Sequence, residues 1–295
     1  MESTLQQTTI MIPTAGRAPI LHETVVSLQT QTRQPLKILI CPGDTDSILP
    51  ATRSLPNVAV AVPVKKGSAA QRNACLGQVA TAYILFLDDD VVLAPSYIES
   101  MEALFDQRTD IAVAMAHMAA DGARTDSGHS HGQARQILDR LSPGGRVQPV
   151  PSVIGCNMFV RTEVARAVRF DERLPLYGWL EDLDFSTRAV SLGGIVINGE
   201  TALVHLGSTV GRTSGLRFGY SQIVNPLYLW KKSGVPSLSR LIVHFWLRLV
   251  LSNLAHSLIR SSRSREDRPG RLKGNLLAFG DLLRGRITPE RIVSL

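Results

Sequence analysis

The tract Tyr83–Leu87, followed at once by Asp88, Asp89 and Asp90, restricts this chain more than any other segment. Five apolar residues in a row read as a buried strand. Three adjacent carboxylates repel one another and are seldom placed together without a counter-ion. Hard oxygen ligands at alternate positions suit Mg2+ or Mn2+, and such an ion can bridge phosphate oxygens. A solvated turn capping the helix that begins near Pro95 is the plainer alternative.

Around this tract strands and helices alternate. Thr9–Ile12 is a β-branched run expected to stop at Pro13, Leu36–Cys41 stops at Pro42-Gly43, and Val58–Val62 stops at Pro63. His22–Thr32 carries Val25, Val26 and Leu28 at helical spacing, and Gly67–Gly77 reads as a loop entering a helix. A helix with proline at its start is expected over Pro95–Asp106, then a strand at Ile111–Met115. Residues 119–150 read as a long polar loop. Strand character resumes over Val150–Val160, and Phe170–Leu180 is a loop. Glu181–Leu192 reads as a helix ended by Gly193-Gly194, with short strands at Ile195–Ile197 and Thr201–His205. This order implies an α/β fold with a mainly parallel central sheet flanked by helices. Ligands bind such sheets outside the carboxyl ends of the strands, where the aspartates fall.

Other groups can carry chemistry. In Gly67-Ser68-Ala69-Ala70-Gln71-Arg72-Asn73, small residues let the backbone approach a ligand, and Arg72 can meet a phosphate or carboxylate bidentately. A helix start with one surface arginine explains the segment about as well. Acidic residues at Glu181, Asp182 and Asp184 complement a helix dipole, but a cap does not account for both aspartates. Trp179 beside them is either core or a platform for a sugar ring. His205 ends an apolar strand; such a histidine is more often structural, yet neutral imidazole can join a metal.

Charge is uneven. Residues 1–209 carry 17 Lys/Arg against 21 Asp/Glu, a net of −4, and residues 210–295 carry 15 against 4, a net of +11. A mildly acidic body thus precedes a basic, mostly helical region drawn to phosphate groups. The apolar tract Leu241–Ile259 is broken by His244, Arg248, Asn253 and His256, so it is not expected to cross a bilayer. Leu238–Leu258, with Trp230, Phe245 and Trp246 nearby and Arg240, Arg248, Arg260, Arg263 and Arg265 in or after it, suits a helix lying in the face of an anionic membrane. Packing on the body or on a homodimer partner is the equal alternative. Cys41, Cys75 and Cys156 form neither a disulfide framework nor a zinc knuckle, and residues 1–9 lack a secretory signal, so a cytoplasmic protein is expected, peripheral on the inner membrane face if the tail binds lipid.

Taken in order, Pro13-Thr14, the Gly…Arg72-Asn73 loop, Leu87-Asp88-Asp89-Asp90, Gly155-Cys156-Asn157-Met158, Phe170-Asp171-Glu172, Glu181-Asp182-x-Asp184, Gly193-Gly194 and Val204-His205 resemble the family 2 glycosyltransferases of the GT-A fold. The resemblance covers about residues 7–206. It implies a GT-A domain over 1–209 and a helical extension over 210–295. It further implies an inverting transfer from a nucleotide-diphosphate sugar (UDP, dTDP or GDP) to a glycan or lipid-linked acceptor hydroxyl, as in bacterial polysaccharide biosynthesis. By the same resemblance Pro13, Thr14, Arg17, Arg72, Asn73, Asp88 and Asp89 contact the nucleotide sugar, and Asp88 and Asp90, joined by His205, hold Mn2+ or Mg2+ on the diphosphate. Asp182 matches the general base, with Glu181 beside it, and Trp179 and Asn157 fall in the sugar or acceptor pocket. The segment after the second strand departs from the family: Cys41 or Pro42 stands where an aspartate usually reads the base, leaving Asp44 for that task.

Two other classes compete. A sugar-phosphate nucleotidyltransferase shares the sheet and carboxylate-bound metal, but Thr14-Ala15-Gly16-Arg17 is a thin version of its glycine-rich loop. A nonenzymatic nucleic-acid binder would use the basic tail, but aromatics are only 5% and no binding motif is present, so nucleic acid is not an expected partner.

Overall fold

The computed structural model describes residues 7–62, 64–142, 144–258 and 266–295. Pro63 and Pro143, and Ile259, Arg260, Arg263 and Arg265 of the basic tail, lie outside the described residues.

Nine strands form one mixed sheet: β1 (Thr8–Thr14), β2 (Lys37–Pro42), β3 (Val58–Val60), β4 (Tyr83–Leu87), β5 (Val91–Leu93), β6 (Ile111–Asp121), β7 (Val147–Pro149), β8 (Asn157–Arg161) and β9 (Gly194–His205). Their spatial order is β3-β2-β1-β4-β8-β6-β9-β5, with β7 also paired to β9. The first four strands run parallel, as the alternation implied. β8 is antiparallel to both its neighbours, so the sheet is only partly parallel. Strand direction leaves no mark on apolar content, which is why the sequence did not show it.

Residues alternate between the two faces of β1 and β4. Ile10, Ile12, Leu85 and Leu87 face Leu21 and Val25 of α1 (Ala18–Leu28) on one side. Met11, Ile84 and Phe86 meet Ala69 and Cys75 of α2 (Ser68–Cys75) and Phe185 on the other. With both faces covered, the runs read as continuously apolar. α3 (Tyr97–Gln107) starts after Pro95 rather than with it, because the Pro95 carbonyl is taken by the Thr32 N–H at 2.9 Å and Ser96 is the cap residue. β1 continues through Pro13, which pairs with Cys41. β6 runs six residues beyond Met115, to Asp121. The polar stretch that follows contains α4 (His131–Asp139), opened by a capping box of Ser130 and Gln133. α5 (Thr162–Val168) follows β8 directly. α6 (Glu181–Ala189) is shorter than expected, and the two strands after it are one, β9.

The basic region forms three long helices: α7 (Gly215–Ser233), α8 (Leu238–Leu258) and α9 (Arg268–Leu283). They pack on one another and on the body. Buried Asn253 donates to Gln222 at 2.9 Å and to Asn275 at 2.8 Å, and Asn275 donates to the Gly219 carbonyl at 2.7 Å, so one polar network pins all three helices in register. Asn225 donates to the Trp179 carbonyl at 2.8 Å, and Lys232 reaches both Asp171 and Asp184 at 2.7 Å, tying α7 to the body. Packing on the body, one of the three uses weighed for the tail, is therefore realised. α7 and α9 touch backbone to backbone where Gly219 and Gly274 meet: a Cβ on Gly274 would collide with the Leu216 carbonyl. Neither neighbour is a flexible side-chain end, so Gly274→Ala should destabilise the protein by about 1–3 kcal/mol, the usual cost of overpacking. A lowered Tm by circular dichroism checks this; an unchanged Tm would mean the helices can part freely.

Candidate active site

A cleft of about 430 Å³ opens at the carboxyl ends of β1 and β4, where the aspartates were expected to serve. Of the residues proposed from sequence, Pro13, Thr14, Arg17, Asp88, Asp89, Asp90 and His205 line it. Ligand atoms of Asp88, Asp90 and His205 lie within 4.8 Å of one another. Sheet register explains this convergence. His205 pairs with Val91, the residue after Asp90, on one side and with Asp121 on the other.

Electrostatics around the group are graded. Asp90 Oδ2 accepts from the Ser208 N–H at 2.8 Å, while its buried Oδ1 has no hydrogen-bond partner. His205 Nε2 lies 3.5 Å from that oxygen, and its Nδ1 lies 2.8 Å from Asp121 Oδ1. Burial works to lower the imidazole pKa, but the Asp121 hydrogen bond and the nearby Asp90 charge outweigh it and raise the value to about 10. Burial likewise works to raise Asp90, and His205 and Arg17 overcome it, leaving the carboxyl below its ordinary value. Asp89 differs: burial pushes it up to about 6 against the pull of Arg17. Its oxygens accept from Thr14 Oγ1 at 2.7 Å and from Arg17 Nη1 at 2.8 Å. Asp89 therefore braces the cleft floor, and Asp88 and Asp90 are the pair left to meet a ligand.

The residues present fit a divalent cation. A carboxylate oxygen that accepts no hydrogen bond, a second carboxylate and an imidazole converge. The imidazole would give up its Nε2 proton on binding the ion, and Asp121 fixes it from behind, as outer-shell carboxylates do at metal sites. Among hard-ligand cations, Mn2+ and Mg2+ match this oxygen-rich set with one nitrogen.

Beside this group sits Arg72, 1% exposed and not in the cleft wall. Its guanidinium donates to Glu181, to Asp88 at 3.1 Å and to the Gly155 carbonyl at 3.1 Å. Phe170 stacks beneath it at 5.0 Å. Glu181 is buried and also accepts from Ser68 at 2.7 Å. Burial pushes its carboxyl up to about 7, opposed by Arg72. Asp182 follows at the start of α6, accepting from the Gly155 N–H at 3.1 Å and from the Leu183 N–H at 2.8 Å. Burial raises its pKa and those donors restrain the rise. Asp184, two residues on, is buried between Arg188 and Lys232.

Several sequence expectations are corrected. Asn157 is fully buried, with its amide committed to Tyr97 and to both backbone groups of Ala116, so it belongs to the core and not to a sugar pocket. Asn73 is spent on the Phe170 backbone and Glu172, holding that loop in place of a nucleotide. Trp179 packs edge-on against Phe218 and Phe245 and does not line the cleft. Asp44, in the turn after β2, pairs with Lys66 at 3.0 Å, and it is Lys66 that reaches the cleft.

The sequence model for "Glycosyl transferase family 2" matches residues 9–169, more than half of the chain. The chain belongs to glycosyltransferase family 2. An uncharacterized glycosyltransferase of Bacillus subtilis (strain 168), YwdF, is 33% identical over 95 residues, 31% of this chain and 35% of that protein, so the chain matches about a third of that relative's length. Among solved structures, S. aureus TarS 1-349 in complex with UDP-GlcNAc aligns over 98% of this chain and 83% of its own, with a TM-score of 0.58 and 16% identity. A longer TarS structure aligns over 76% of this chain and 40% of its own, with a TM-score of 0.54 and 17% identity. At these identities the likeness establishes the fold, which is the GT-A fold.

Several cleft residues of this family 2 chain went unnoticed in its sequence. Gln71 donates to the carbonyls of Thr14 (2.9 Å) and Cys41 (2.6 Å), joining the ends of β1 and β2. Arg212, Phe218 and Arg271 enter from the basic region and form the wall beyond the family-matched segment. Only the net charge of that region hinted at them. Arg72 itself offers a test of the site's architecture. Arg72→Leu would leave Glu181 buried without its cation, and breaking a buried pair from one side typically costs about 3–5 kcal/mol. Urea unfolding should show that loss, whereas a change under 1 kcal/mol would place Arg72 on the surface.

Proposed function

We propose that this protein is an inverting glycosyltransferase that moves a sugar from a nucleotide-diphosphate donor to an acceptor hydroxyl, with Asp182 as general base. The observation that carries the reading is the meeting of Asp88, Asp90 and His205 around a carboxylate oxygen that accepts no hydrogen bond at the cleft floor. Residues 1–209 act as the donor-binding body, and 210–295 complete the cleft wall.

Pro13, Thr14 and Arg17 contact the donor in the cleft, with Lys66, held by Asp44 in the turn after β2, as the contact that selects the base. The TarS complexes with UDP-GlcNAc and UDP support a uridine donor here, with dTDP and GDP sugars as the other candidates. Asp88, Asp90 and His205 would hold Mn2+ or Mg2+. Such an ion supplies positive charge against the diphosphate leaving group. Asp182 takes the acceptor proton as the hydroxyl attacks the anomeric carbon from the face opposite the leaving group. Burial makes its carboxylate more basic, while the N–H groups of Gly155 and Leu183 favour the ionised form a base needs. Glu181 acts by fixing Arg72, and through it Asp88 and the Gly155 loop that holds Asp182, so it is a positioning residue. A glycan or lipid-linked acceptor suits this chemistry. A cytoplasmic setting fits the three buried, unpaired cysteines.

Two measurements test the reading. Asp90→Ala or Asp88→Ala should abolish Mn2+-dependent donor binding in a protein that still folds; donor binding with unaltered Mn2+ dependence would refute the metal assignment. Asp182→Asn should slow single-turnover transfer by about 10²–10⁴-fold with donor affinity nearly unchanged. Asp184→Asn should lose stability rather than catalysis, since its carboxylate is committed to Arg188 and Lys232. Near wild-type transfer by Asp182→Asn, with Glu181→Gln inactive, would move the base to Glu181.

A further inference from the structure

The outer side of α8 carries a row of large apolar residues that the described residues leave largely exposed. Ile242, Val243, Leu247, Leu251, Leu254 and Leu258 are each 42–77% exposed. Scattered exposed leucines need no explanation, but a continuous row does. The helix geometry makes it continuous. At 3.6 residues per turn Ile242 and Leu247 would point about 140° apart. The stretch Leu241–Arg248 is π-wound, and its wider turn, closing after five residues instead of four, brings residues five apart toward one side. From Val243 onward the spacing of three or four keeps the remaining side chains on the same row.

The opposite side of α8 is fixed to the body. Leu241 and Phe245 are buried, Asn253 is held in the three-helix polar network, and Phe245 packs on Trp179 at 5.6 Å. By length and composition α8 could span a membrane, with a mean hydropathy of 1.3. Its inner contacts instead hold it flat on the protein, so only its outer row is available.

We infer that this row, with the cations around it, is a docking face for an anionic lipid bilayer, on which the protein lies with α8 in the plane of the interface. Charge selects that occupant over a second copy. α8 has no Asp or Glu, carries exposed Arg240 and Arg248, and belongs to a region with a net charge of +11. Two such faces repel one another, whereas anionic headgroups attract each basic residue near the surface. An apolar row flanked by arginines is the pattern of an interfacial helix. Trp179 adjoins both Phe245 of α8 and the segment bearing Glu181 and Asp182, so docking sets the transfer site on the far side of α8, beyond its helix diameter of roughly 10 Å and the Trp179 ring packed on it. An acceptor sugar borne on a membrane lipid would then reach the base without leaving the bilayer.

The test is co-sedimentation of the full chain with vesicles of phosphatidylcholine alone and of phosphatidylcholine with an equal part of phosphatidylglycerol. Binding at least tenfold stronger to the mixed vesicles is expected, weakening in high salt. Leu247→Asp with Leu251→Asp should cut that binding at least tenfold, leaving Tm and nucleotide-sugar affinity unchanged. Arg240→Glu with Arg248→Glu, which spares the apolar row, should lose the preference for anionic lipid. Failure of the wild type to sediment, or sedimentation of both variants like wild type, overturns the proposal. Equal binding to neutral vesicles overturns its anionic part. A wild-type dimer in light scattering that the leucine variant splits, with no lipid binding by either, makes the row a subunit interface instead.

Discussion

A single buried guanidinium, that of Arg72, joins the parts of this active site. Buried charge is tolerated only where it is paired and hydrogen-bonded. Here the pairing is spread over three elements: Asp88 at the end of β4, the Gly155 carbonyl before β8, and Glu181 at the start of α6. Each partner is one step from a residue with work to do. Asp88 is a proposed metal ligand, the Gly155 N–H holds Asp182, and Glu181 precedes Asp182 in the chain. Removing the cation would therefore unsettle the donor and acceptor sides together.

The basic region has an analogous double attachment. Its inner surfaces complete the cleft through Arg212, Phe218 and Arg271, and brace α6 through Lys232 and Asp184. Its outer surface is left apolar and positive. Read as composition alone, this region offers a choice between an intramolecular helix and a membrane helix. In the fold the two are compatible, because α8 has two sides and uses one for the body.

What the sequence disclosed follows from how local each signal is. The aspartate triplet after Tyr83–Leu87 and His205 at the end of its strand were readable, since a buried apolar run that ends in charge points to a ligand-facing strand end. The capping box of Ser130 and Gln133 was equally local and could have revealed α4 within the polar stretch. Asn157 and Asn73 could not be placed, because an asparagine spent on buried backbone groups looks, in sequence, like one free to bind a sugar. Asp121 was hidden for another reason: its partner, His205, is 84 residues away and meets it only through the pairing of β6 with β9. The direction of β8 is equally non-local.

The pairing of His205 with Val91 also bears on how the site fails. A register step in a sheet is quantised, and a slip by one residue turns every side chain to the opposite face. The spacing between Asp90 and His205 is set by main-chain hydrogen bonds of the β5–β9 pair at the sheet edge, which place Val91 opposite His205 and tie the Asp90 carbonyl to the Leu206 N–H, together with the turn that carries Asp88–Asp90 from β4 to β5. Its dimensions hold while β5, the short edge strand, stays paired, and local opening there would part Asp90 from His205 before the rest of the sheet unfolds.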